Sequence, residues 1–95
     1  MAVTTSKTTQ FSNMVHYLES SLSQLEDFSH RWSELNKDTK DDFIIEWPVV
    51  EDRVVELKEL VKRHGVASDQ LERYKELIER IDRGRLVLVS LRERP

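Results

Sequence analysis

The chain has 95 residues, 38% of them hydrophobic and 35% charged, with a formal net charge of −3 and no cysteine. That length supports one domain with one core. The missing cysteines exclude disulfides, thiolate metal sites and cysteine nucleophiles, and suit a reducing compartment such as the cytoplasm. The longest apolar run, Leu86 to Leu91, is far too short to span a membrane, and Met1 to Gln10 lacks the basic and apolar segments of a signal peptide.

Charge is distributed unevenly. Residues 1–50 carry 8 acidic and 4 basic side chains, and residues 51–95 carry 10 acidic and 11 basic. Between Arg80 and Arg94 there are 5 arginines against 2 acids. An acidic first half and a mildly basic end favour head-to-tail pairing or an acidic partner. The excess is too small for a general nucleic-acid surface.

Residues 1–9 are rich in Thr and Ser and hold little to bury, so they read as a flexible tail ahead of a single helical domain over 10–95. Thr8, Thr9 or Ser12 would cap the first helix. That helix is predicted from Gln10 to Lys37. Phe11, Met14, Val15, Leu18, Leu22, Leu25, Phe28, Trp32 and Leu35 recur at steps of three and four and wind one stripe along it. At 1.5 Å per residue it would extend about 40 Å, which implies an elongated bundle or a coiled-coil-like assembly.

Asn36 to Asp42 is polar and reads as a loop. Phe43 to Trp47 reads as a helical turn or a short strand. Pro48 disfavours helix at Trp47 and suits a first helical position, so the second helix is predicted to start there. The competing reading is a kinked helix from Lys40. Val50, Val54, Leu57, Val61 and His64 then form a clean heptad-like stripe, widened by Val49, Val55 and Leu60. Gly65 is the expected stop, preceded by Lys62, Arg63 and His64 at the favourable end of the helix dipole.

The third helix is expected after a Ser68 cap, with Leu71, Tyr74, Leu77, Ile78 and Ile81 on its inner face. Glu76–Arg80 and Glu79–Arg83 have favourable i,i+4 spacing. Gly84 then divides two readings. Either the helix continues through it at a cost of about 1 kcal/mol, or Leu86 to Leu91 form a short strand that needs a mate. Continuation is the favoured reading. Val87 and Val89 are expected to be covered in either case.

Residues that carry chemistry are sparse. Glu26, His30 and Glu34 share a helical face, yet a metal needs further ligands from elsewhere, and no metal or cofactor is expected. Asp38, Asp41 and Asp42 lack the spacing and glycine of a calcium loop. With only Gly65 and Gly84 there is no glycine-rich phosphate loop, and no serine sits in a nucleophile motif. Arg80, Arg83, Arg85 and Arg92 offer a nucleic-acid contact, but Glu79, Asp82 and Glu93 interrupt them and no aromatic platform accompanies them.

The opening helix, with Leu25, Phe28, Trp32 and Leu35, resembles the first helix of a spectrin-type repeat. Such repeats are three-helix spacers and docking modules of similar length. The short second helix and the break at Gly84 depart from that pattern, and the family is not assigned.

The expected protein is therefore an all-α three-helix bundle without enzymatic activity. It binds another protein, or itself as a homodimer, as an adaptor, assembly factor or small regulator. The alternatives are a nucleic-acid-binding regulator using the C-terminal arginines and a small metal-binding protein or enzyme. The expected contact residues are Phe43, Ile44 and Trp47 at the hinge and Leu86, Leu88 and Leu91 in the last apolar segment.

Overall fold

The computed structural model describes residues 7–93. Three helices follow one another: α1 (Lys7–His30), α2 (Lys37–His64) and α3 (Leu71–Arg92), with single 3₁₀ turns at Trp32–Glu34 and Ser68–Gln70 in the two connections. No strand occurs among the described residues. The bundle is elongated, 50 × 29 × 18 Å, as helices of this length require. Residues 1–6 of the expected tail lie outside the described residues, whereas Lys7, Thr8 and Thr9 already belong to α1. The candidate caps Thr8, Thr9 and Ser12 are thus inside the helix.

Each helix buries residues at the same four-three-four-three spacing. In α1 they are Phe11, Val15, Leu18, Leu22 and Leu25; in α2 Phe43, Trp47, Val50, Val54 and Leu57; in α3 Leu77, Ile81, Gly84, Leu88 and Leu91. This is the spacing that keeps one stripe facing a neighbouring helix over several turns. No polar or charged residue is buried among those described. The closest backbone approaches are α1 to α3 and α1 to α2, so α1 is the shared partner of the other two.

Beyond the earlier start of α1, helix boundaries depart from the sequence reading in three places. First, α1 stops at His30 instead of reaching Lys37. Arg31 turns the chain, the 3₁₀ turn places Trp32 in the core, and Leu35 and Asn36 are extended. Asn36 then caps α2, its side-chain oxygen accepting the Thr39 N–H at 2.8 Å. The cap of the second helix thus sets where the chain reverses, and no glycine or proline marks the place.

Second, α2 starts at Lys37 and runs straight through Pro48. An interior proline costs about 3 kcal/mol because it removes one helical hydrogen bond and crowds the preceding turn. Here Phe43 and Trp47 before the proline and Val50, Val54 and Leu57 after it all reach the core from one continuous helix. Burying large apolar side chains is worth about 1.5–3 kcal/mol each, so several of them outweigh the proline. Third, Ser68 does not cap α3. It opens a 3₁₀ turn, and α3 begins at Leu71 without a side-chain cap bond.

Other boundaries match. Gly65 ends α2 with φ of 71°, a value glycine adopts without strain, and its N–H donates to the Val61 carbonyl at 2.7 Å. Helix α3 continues through Gly84. A Cβ built there would lie 3.0 Å from Leu22 Cδ2 and 3.1 Å from Leu25 Cδ2. The glycine therefore occupies a core position of α3, and two leucines of α1 fill the space a side chain would have taken.

Candidate docking surface

Charged side chains fix how the helices sit. Arg73 of α3 donates to Glu19 of α1 at 2.7 Å, and Arg80 donates to Glu26 at 3.0 Å. The two pairs are a heptad apart on both helices, so α1 and α3 run parallel and in register. Arg85 of α3 donates to Glu51 of α2 at 2.9 Å and also reaches Asp82 on its own helix. The hydrogen bond from Arg73, aided by its charge against the cost of burial, holds the Glu19 carboxyl below its ordinary range. The same kind of bond, to Glu51, raises Arg85.

These pairs change the reading of the basic end. Arg80 and Arg85 already face carboxylates, and Arg80 reaches across to α1 instead of pairing with Glu76. Arg83 and Arg92 are exposed. The four arginines do not form one free basic face.

The expected contact residues separate in the same way. Phe43, Trp47, Leu88 and Leu91 are buried. They belong to the core stripes and offer no surface to a partner in this arrangement, which corrects the reading of them as contact residues. Phe43 sits at the centre of an aromatic cluster, with ring centroids 5.0 Å from Phe28, 6.4 Å from Trp32 and 5.9 Å from Trp47. The indole N–H groups of Trp32 and Trp47 are buried with no acceptor among the described residues. Ile44 is partly buried, and Leu86 is 73% exposed.

Ile45 at 71% and Val89 are also exposed and lie inside the two segments expected to make contacts, Phe43 to Trp47 and Leu86 to Leu91, whereas the exposed Val49 and Val55 on α2 lie outside them. Val87 and Val89, expected to be covered, are both exposed. The available signal is position: Ile45, Val49, Val55, Leu86 and Val89 all fall off the four-three stripes, where an apolar side chain has no place in the bundle's own core.

One concavity links α2 to α3. Beside the α2 N-terminus and the α3 C-terminus lies an open cleft of about 570 Å³. Trp32, Ile44, Ile45 and Leu91 supply its apolar lining, and Lys37, Lys40, Asp41 and Arg92 its charged one. Lys37 is held by Asp41 at 3.0 Å. The Lys40 ammonium lies 5.6 Å from the centre of the Trp32 ring.

Nothing in the described residues gathers metal ligands. No group of three or more His, Asp or Glu side chains is placed to hold an ion. The helix break at His30 separates Glu34 from the face it was expected to share with Glu26 and His30, and Glu26 is engaged by Arg80. Among the described residues no helix is long and apolar enough to cross a membrane. Compared with known protein families, curated proteins and solved structures, the chain matches none.

Proposed function

We propose that this chain is a non-enzymatic docking module, of the adaptor, assembly-factor or small-regulator kind, that binds protein partners and self-associates through the outer sides of α2 and α3. The observation that carries this reading is the exposure of Leu86 at 73% and Val89 at 52%, one helical turn apart on the side of α3 away from its core stripe. Ile45 and Val49 form a similar pair on α2. Apolar side chains clustered on a helix face outside the core mark an interaction surface. Covering them would supply the driving force, and the charged residues around them would set register and partner choice. A nucleic-acid reading has less support, because Arg80 and Arg85 are engaged by carboxylates. The cysteine-free composition supports the cytoplasm as the compartment.

The test is solution mass by light scattering over a concentration series, for the intact chain and for Leu86→Glu/Val89→Glu. Truncation at Arg83 would delete Leu88 and Leu91 from the core, so point substitutions are the cleaner tool. The expected result is a mass that rises from 11.3 kDa towards twice that value, and a double variant that stays monomeric with unchanged helicity. An intact chain that remains monomeric throughout overturns self-association.

A further inference from the structure

We propose that the cleft between the α2 N-terminus and the α3 C-terminus receives an acidic amphipathic helix of a partner protein, with apolar side chains on Ile44 and Ile45 and carboxylates facing Lys40 and Arg92. The inference rests on the docking reading above and adds the chemistry of the partner.

The shape argues for a helix segment. The lining is mainly apolar and the cleft is open to solvent instead of enclosed. A small molecule held tightly is normally covered over most of its surface, whereas an amphipathic helix lays two or three side chains into an open groove and keeps its other face wet.

The charges argue for an acidic one. Three cations and one carboxylate line the cleft, and that carboxylate, Asp41, is held by Lys37. Lys40 and Arg92 have no carboxylate partner among the described residues. Helical periodicity places most of the carboxylates in the first turns of α2 away from the lysines, Asp41 excepted. Lys37, Lys40 and Ile44 follow one side of the helix. Asp38, Asp42 and Glu46 fall on the other, where Glu46 lines the separate groove between α1 and α2. The N-terminal end of α2 adds its own partial positive charge. An acidic helix thus meets two cations without carboxylate partners among the described residues, whereas a basic one would meet repulsion.

The experiment uses the full chain and two labelled probe peptides of about 12 residues. One places Leu and Phe at i, i+3, i+4 and i+7 with Glu elsewhere, and its twin carries Lys for every Glu. Binding is followed by fluorescence anisotropy. The acidic peptide is expected to bind about tenfold more tightly than the basic twin, and to weaken as salt is raised. Arg92→Glu should erase most of that preference and Lys40→Glu/Arg92→Glu should reverse it, while Lys62→Glu at the far end of α2 leaves it intact. Arg92 is exposed and has no carboxylate partner among the described residues, so the single variant decides the matter should the double variant melt early.

Equal affinity for both peptides, or a preference that survives Arg92→Glu, overturns the proposal. So does a concentration-dependent rise in mass abolished by Arg92→Glu, since that seats a second copy in the cleft. Loss of charge preference with self-association through Leu86 and Val89 intact removes only the acidic partner. Absence of both removes the docking reading as well.

Discussion

The seam between α1 and α3 and the seam between α2 and α3 use the same helix and treat it oppositely. On the α1 side, a glycine at a core position lets Leu22 and Leu25 press against the α3 backbone, and two ion pairs a heptad apart lock the register. On the α2 side one ion pair, Glu51 to Arg85, bridges the helices, a cleft opens at one end, and apolar side chains remain exposed on both. Close approach is thus concentrated at Gly84 on the α1 side, while apolar side chains stay exposed around the rest of α3, with Leu86 and Val87 bordering a concavity beside Ser29 of α1. The closed seam holds the fold, and the open side is where a partner can add burial.

The sharpest way to break this comparison is a pair of substitutions two residues apart. Leu88→Asp puts a charge into the core and is expected to cost about 4 kcal/mol or more, abolishing the cooperative thermal transition seen by circular dichroism. Leu86→Asp should change stability by less than about 0.5 kcal/mol in the same measurement. Comparable losses from both would mean that α3 has no outer side.

Next in size is Gly84. Gly84→Leu forces α1 and α3 apart and is expected to cost about 3 kcal/mol in urea denaturation. Gly84→Ala gains about 1 kcal/mol of helix propensity and offsets it against two buried leucine methyls that must shift, so it should fall within about 1 kcal/mol of the parent. A freely tolerated leucine would show that the seam is not close-packed.

Pro48 tests whether α2 is one helix by demand of its stripe. Pro48→Ala restores a helical hydrogen bond but loosens the unfolded chain, and the net expectation is a gain of about 1–2 kcal/mol in the same urea titration. Destabilisation would show that the proline is needed for the path of α2.

The smallest effect belongs to the register pair. The folded Glu19 carboxyl is harder to protonate than the unfolded one. Its contribution is therefore complete above the ordinary glutamate range and is lost as pH falls through the lower folded value. Both side chains are partly exposed, so the contribution is about 0.5 kcal/mol. Glu19→Gln should flatten part of the fall in melting temperature between about pH 6 and about pH 3.

The fold was legible where one local cause acts alone. Gly65 after Lys62, Arg63 and His64 reads as a helix end because the glycine conformation and the dipole agree. The α3 helix was readable through Gly84 because the apolar spacing continues on both sides of it. Two of the misread boundaries show why the rest was not legible. Pro48 reads as a helix start by local rules, yet Phe43, Trp47 and Val50 keep the four-three spacing across it, and tertiary burial prevails. The end of α1 is set by the cap at Asn36, six residues beyond His30, with no breaker between. The same oversight misplaced the surface. Phe43, Trp47, Leu88 and Leu91 looked like contact residues only while their segments were treated apart from the stripes that claim them. Leu86 lies off the stripe, and its exposure follows from that.

The parallel pairing of α1 and α3 carries a kinetic consequence. Six residues separate the end of α1 from the start of α2, so that hairpin closes over a short loop. Glu19 and Arg73 are 54 positions apart, with the whole of α2 between them. Loop closure costs more as the enclosed chain lengthens, so the α1–α2 hairpin is expected to form first and the glycine seam to close after it. Gly84→Leu should then act more by speeding unfolding than by slowing refolding, as read from the two arms of its chevron.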